Sequence, residues 1–240
     1  MRLTTIPRFR ILPALLLAIL VFSCSYVKDP KNPYGLDIIS EGSSYLESIA
    51  ENPDNELVDL ADFIPNVVID IRYADTNNFT GKKIYTDARA FARKPVAEAL
   101  LQIQQILAKD FLGLKIYDAY RPYSATLYFY EVYGDTTFVA APWKGSIHNR
   151  GCAVDVSLVD LKTGKELNMP TPFDEFSERA SLNYKNLTAE QIANREKLVT
   201  VMTENGFTKY EHEWWHFNIK NRDKYKLMDL SFQELDELTK

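Results

Sequence analysis

The chain has 240 residues, 46% hydrophobic and 25% charged, with nine glycines, a composition that suits one globular domain with a full core. Its 28 basic and 33 acidic residues give a net charge of −5, which argues against nucleic acid as a partner. No internal repeat and no low-complexity tract interrupts it.

Arg8 and Arg10 precede an apolar run from Ile11 to Phe22 that is too short to span a bilayer and reads as a secretory signal. The run ends in Val21-Phe22-Ser23-Cys24, which resembles a bacterial lipobox, so residues 1–23 are expected to be removed and Cys24 to carry lipid. That removal takes away three arginines and leaves 25 basic against 33 acidic residues, a net charge of −8. With Cys24 lipidated, Cys152 is the one remaining thiol, and no internal disulfide is expected despite an exported destination. From Ser25 to about Asn55 the chain shifts to Asp, Asn, Ser, Gly and Pro with weak periodicity. Residues 24–56 are therefore expected to form a lipid-attached tether, and residues 57–240 the folded domain.

Val67, Ile69, Ile71 and Tyr73 alternate with polar or opposite-facing positions and predict a strand. Pro95 can open a helix whose buried stripe is Val96, Leu100, Ile103 and Leu107, ending before Gly113. Lys115 to Tyr120 predicts a strand running into Arg121-Pro122, and Ser124 to Tyr133 an aromatic helix stopped by Gly134. Cys152 to Val159 predicts a strand with Ala153, Asp155 and Ser157 on one face. Thr188 and Gln191 form a capping box for a helix ended by Gly206, and Phe207 to Lys220 predicts one further strand. This mixture, without regular βαβ alternation, points to an α+β fold with a mainly antiparallel sheet and flanking helices.

The stretch HEWWH, His212 to His216, has the letters of the H-E-x-x-H zinc motif. That motif needs a helix, where side chains four apart share a face, whereas a strand would separate the two histidines by roughly 13 Å. The remaining histidine lies in SIHNRGCAVD, Ser146 to Asp155, where Asn149-Arg150-Gly151 supplies a turn that can bring His148 toward Asp155. Imidazole, carboxylate and His216 together make a three-ligand zinc set with one position free for chemistry. Cys152 falls on the opposite strand face and is not expected to be a ligand.

Ser-x-His-x-x-Gly-x-Ala-x-Asp followed by Glu-x-Trp-His resembles the D-alanyl-D-alanine dipeptidases of the VanX type, zinc D,D-peptidases that share a fold with the Hedgehog signalling domain. RYADTNNFTGKKIY (Arg72 to Tyr85), YDAYRP (Tyr117 to Pro122) and the segment around PFDEF (Pro172 to Phe176) are similar to the same branch, so the resemblance spans about Arg72 to Phe217. It implies His148, Asp155 and His216 as ligands of one Zn2+ ion, Glu213 as general base and Arg121 as the group that holds oxyanion charge, oriented by Asp118. His212 then has no part in the site. Glu213, three residues before His216, can reach the same ion only if the strand turns or bulges there.

The resemblance nominates Asp174 and Tyr73 as acceptors for the ammonium of a free D-Ala-D-Ala dipeptide and Ser146 for its carboxylate. Trp214 and Trp215 are expected to pack the core and wall the site. The segment between Arg121 and Ser146 looks shorter than in resistance-associated members, which leaves room for larger substrates. Two alternatives therefore stay open: a D,D-carboxypeptidase or endopeptidase acting on larger muropeptides, and a non-catalytic lipoprotein that binds cell-wall peptides. The expected location is the periplasmic face of a bacterial membrane, touched only through the N-terminal lipid, with Ser25 after the cysteine pointing to the outer membrane.

Overall fold

The structure is a computed structural model that describes residues 29–238. The expected signal peptide and Cys24 lie outside the described residues. In chain order the elements are β1 (Ile38–Ile39), α1 (Gly42–Glu51), β2 (Leu57–Asp59), α2 (Leu60–Phe63), β3 (Val68–Ile69), β4 (Phe91–Arg93), α3 (Lys94–Ala108) and β5 (Leu112–Asp118). They continue with α4 (Tyr123–Tyr133), β6 (Ala153–Asp160), α5 (Ala189–Glu204), β7 (Phe207–Tyr210), β8 (Glu213–Ile219), β9 (Leu227–Met228) and α6 (Phe232–Leu238).

A five-stranded sheet in the order β3-β5-β6-β8-β7 organises the molecule, antiparallel throughout except for the parallel pair β3 and β5. The α+β architecture with a mainly antiparallel sheet is thus the one read from the sequence. Helix α3 buries Val96, Leu100, Ile103 and Leu107, each worth roughly 1.5–3 kcal/mol of apolar burial. Gln104 on the same helix is also buried, accepting from the Leu114 N–H and donating to the Asn66 carbonyl, which ties α3 to the start of β5. Helix α4 stops at Gly134, whose φ of 73° is the left-handed conformation that glycine adopts without a Cβ clash. Helix α5 starts with the reciprocal Thr188–Gln191 capping box.

Three expectations need correction. The strand expected over Val67 to Tyr73 is only Val68–Ile69; Arg72–Ala74 form a 3-10 turn, which lets Tyr73 point inward and become buried. The single strand expected over Phe207 to Lys220 is a hairpin, β7 and β8, reversing at the exposed Glu211-His212. The tether does not run to residue 56. Ile38–Ile39 pair in parallel with Leu227–Met228, and Tyr45 of α1 is fully buried with its hydroxyl accepting from the Leu57 N–H. The folded unit therefore includes the chain from Ile38 onward.

Candidate active-site cleft

The central strands carry the site because two irregularities re-aim their side chains. Between β5 and β6, Ile116 faces Val156 but Asp118 faces Asp155, so one extra residue, Tyr117, bulges from β5. Between β7 and β8, Lys209 faces Phe217 while Tyr210 faces Glu213, so one step along β7 matches four along β8. That distortion puts Glu213, Trp215 and His216 on the wall of one cleft, which a regular strand would not do. Trp215 packs against Phe173, and the fully buried Trp214 donates its indole N–H to Thr171 Oγ1.

His148 opens a 3-10 turn, His148–Arg150, that closes on Gly151 with φ 68°. A Cβ on Gly151 would lie 2.5 Å from Leu57 Cδ2, so the turn needs glycine both for its backbone angle and for space. On β6 and β8, Asp155 stands opposite His216. The turn and the two strands bring three donor atoms together: His148 Nε2 is 3.2 Å from His216 Nδ1 and 3.5 Å from Asp155 Oδ1, and His216 Nδ1 is 3.0 Å from that oxygen.

Neighbouring acceptors orient both rings. His148 Nδ1 sits 2.7 Å from the Ala119 carbonyl oxygen, to which only an N–H can donate, leaving Nε2 with a lone pair. His216 Nε2 sits 2.9 Å from Asn218 Oδ1, which leaves Nδ1 the lone pair. Ligand atoms about 2.0–2.1 Å from one tetrahedral cation would be roughly 3.3 Å apart, which this triangle matches with a fourth corner free. His148, Asp155 and His216 therefore fit a cation of zinc's size and preferences. Burial raises the Asp155 carboxyl, but the two imidazoles outweigh it and hold the group well below the usual carboxylate range.

The cleft measures about 510 Å³ and is lined by Tyr73, Arg121, Ser146, Asp174 and Glu213 as well as the three donors. Arg121 is buried, with Nε and Nη2 donating to Asp118 Oδ2 at 3.0 and 2.7 Å, and its guanidinium lies over the Tyr73 and Phe129 rings. Burial opposes its charge, yet Asp118 more than compensates and keeps it cationic. Asp118 is held in turn by the Tyr85 hydroxyl, which donates to Oδ1. Glu213 Oε2 is 3.9 Å from His216 Nδ1. Burial, then Asp155 and Asp174, push the Glu213 carboxyl well above its ordinary range, with Arg121 opposing.

Tyr73 donates its hydroxyl to Asp174 Oδ1 at 3.1 Å, while Asp174 Oδ2 is buried without a hydrogen-bond partner. Burial and the nearby Asp155 push Asp174 up to about 8. Ser146 Oγ accepts the His148 backbone N–H. Within the segment between Arg121 and Ser146, residues from Thr136 to Lys144 line the cleft, with Phe138 stacked 5.0 Å from Phe176. His212 is exposed at the hairpin turn and lines no part of the cleft, and Cys152 is buried with its thiol against the Arg150 carbonyl.

Sequence reasoning missed Asn218, Tyr85 and the Ala119 carbonyl. Asn218 was within reach, because a residue two beyond His216 on a strand shares its face. The carbonyl carries no side-chain signal at all.

The family model for D-Ala-D-Ala dipeptidases, the M15 peptidases, matches residues 53–234. The D-alanyl-D-alanine dipeptidase of Escherichia coli K12 is 38% identical over 173 residues, covering 72% of this chain and 89% of that one. Those of Enterococcus faecalis and Enterococcus faecium are 31% and 29% identical, over 69% and 68% of this chain and 92% and 90% of theirs. A solved LD-carboxypeptidase aligns over 77% of this chain and 78% of its own at 23% identity, with a TM-score of 0.39, too weak a likeness to bear on substrate. With a match across most of its folded residues and relatives of nearly their full length, this chain belongs to the D-Ala-D-Ala dipeptidase family of M15 metallopeptidases.

Proposed function

We propose that this protein hydrolyses the D-Ala-D-Ala dipeptide to two D-alanines, using one zinc ion held by His148, Asp155 and His216. The observation that carries this reading is the presence, in one cleft, of a three-donor cation site and a buried carboxylate oxygen without a partner, Asp174 Oδ2. An unpaired buried polar atom costs free energy until a ligand supplies a partner, and the ammonium of a free dipeptide, whose charge favours the ionised carboxylate, is such a partner.

A zinc ion bound there supplies Lewis acidity and a water that can lose its proton near neutral pH. Glu213 accepts that proton at its carboxylate and returns a proton to the leaving amine. Arg121, fixed by Asp118 and stacked on two rings, offers its remaining N–H groups to the carbonyl oxygen as negative charge develops. Asp174 and the Tyr73 hydroxyl hold the substrate ammonium, and Ser146 donates to the substrate carboxylate.

The cleft is larger than two alanines require, which favours a second reading as a D,D-carboxypeptidase or endopeptidase on larger muropeptides. D-Alanine release should be compared for D-Ala-D-Ala, for L-Ala-L-Ala and for an N-acylated peptide ending in D-Ala-D-Ala. Release from the free D,D dipeptide alone supports the first reading, and release from the acylated peptide the second. No release from any of them contradicts both and favours a peptide-binding lipoprotein.

We also propose that the protein is lipidated at Cys24 and faces the periplasm, on the outer membrane. The lipobox-like Val21 to Cys24 and the following Ser25 support this, and no helix among the described residues is long and apolar enough to cross a membrane. Cys24→Ala should move the protein from the membrane fraction to the soluble fraction; unchanged membrane association would contradict the anchor.

A further inference from the structure

The hydrolysis proposed above needs two positive groups at one carbonyl oxygen, the cation beside His148 and the Arg121 guanidinium. They come from different elements, the turn before β6 and the segment between β5 and α4. Their separation is set where those two segments touch. The Arg121 N–H donates to the His148 carbonyl at 3.2 Å, and the Arg121 carbonyl accepts from Asn149 Nδ2 at 2.9 Å. Two adjacent residues of the donor turn thus grip both backbone polar groups of the arginine.

Asn149 is fully buried, and each polar atom of its amide is engaged. Nδ2 also donates to Thr126 Oγ1 on α4 at 2.9 Å, while Oδ1 accepts the Ser146 N–H at 2.7 Å. The Asn149 backbone N–H donates back to the Ser146 carbonyl at 3.1 Å, so the two residues close the turn that carries His148. Asp118 holds the guanidinium of Arg121, and Asn149 holds the backbone from which it extends. Asn149 lines no part of the cleft, so its influence on a bound peptide passes through Arg121 and His148.

We infer that Asn149 is a positioning residue that sets the separation between the metal donors and the Arg121 guanidinium, so that both meet the same carbonyl oxygen. The inference rests on the hydrolysis proposed above. Charge grows on that oxygen only as the carbonyl is attacked, so a displaced Arg121 costs rate rather than binding of the intact peptide. A displacement of about 1 Å can cost roughly 100-fold in rate.

The test uses the zinc-loaded full chain. Asn149→Ala should keep one zinc per chain and a KM for D-Ala-D-Ala within about threefold, while kcat per bound zinc falls roughly 10- to 100-fold. Calorimetric titration with a phosphinate analogue of the dipeptide, whose tetrahedral centre carries the negative oxygen, should show a loss of affinity of the same size. With Glu213→Gln added to both chains, so that the peptide is not cut, D-Ala-D-Ala itself should bind equally well with and without Asn149→Ala. An asparagine with a merely structural role would lower the unfolding midpoint and leave kcat per zinc and affinity for the analogue unchanged, a result that overturns the inference while the hydrolysis stands. Asn149→Ser, which keeps an acceptor for the Ser146 N–H, should fall between wild type and the alanine variant. It is the readout if the alanine variant does not fold, and wild-type kcat and analogue affinity in it overturn the inference in the same way. Absence of turnover in the zinc-loaded wild type overturns the hydrolysis and the inference together.

Discussion

Asp155 and His216 stand directly opposite each other on adjacent antiparallel strands, with Asp155 Oδ1 3.0 Å from His216 Nδ1. Two rigid strands therefore fix two of the three donor atoms, and only His148 depends on a turn. Metal affinity should respond most to changes that release these side chains from their orienting acceptors.

Asn218 is the sharpest case. Its Oδ1 is the acceptor that leaves His216 Nδ1 free of a proton. Asn218→Ala should weaken zinc binding about 10- to 100-fold, the usual loss when an orienting partner of a metal-bound histidine is removed. Competition with a chromogenic chelator measures this, and unchanged affinity would show that the ring is oriented by something else.

His212 and His148 separate the two possible readings of the HEWWH stretch. His148→Ala should lose zinc and activity together, while His212→Ala, at an exposed turn, should keep both within about twofold. Loss of zinc in the His212 variant with retention in the His148 variant would restore the helical zinc motif.

The legibility of the site follows from where its information sits. His148, Gly151 and Asp155 lie within one short segment, so a turn rule and a strand period suffice to suggest their meeting. Glu213 was readable only conditionally, because it needs the four-for-one register step between β7 and β8. Nothing in Glu211-His212 carries the glycine, proline or asparagine that usually announces a hairpin turn. The β1–β9 pair was unreadable for another reason: two residues each, almost 190 positions apart in sequence, leave no local period.

Gly151 offers a test of the turn itself. With φ at 68° and Leu57 Cδ2 in the way of a side chain, Gly151→Ala should destabilise the fold by roughly 1–3 kcal/mol and displace His148. Denaturant unfolding gives the first effect and zinc titration the second. A variant with wild-type stability would mean that the turn can adopt another conformation.

Asp174 gives a pH dependence with a definite sign. Its carboxyl, ordinarily near 3.8, is pushed to about 8 in the folded, metal-free chain by burial and by Asp155. Between those values the folded chain keeps a proton that the unfolded chain has released. The contribution of Asp174 to stability is therefore fully present below pH 4 and is lost as pH rises through 8. Asp174→Asn removes that loss, so in metal-free samples the variant should melt higher than wild type at pH 8, with a smaller difference at pH 5. A difference that stays constant with pH would place the Asp174 carboxyl in its ordinary range.

If one zinc ion, held by His148, Asp155 and His216, makes this chain a D,D-dipeptidase, zinc content and dipeptide hydrolysis must rise and fall together. Zinc content per chain and D-alanine released from D-Ala-D-Ala should be measured in the same samples of wild type, chelator-treated wild type and His148→Ala. The expected result is one zinc and release in the wild type, loss of both on chelation with recovery on adding zinc, and loss of both in the variant. Release that persists without zinc, or one tightly bound zinc with no release from the dipeptide, would contradict it.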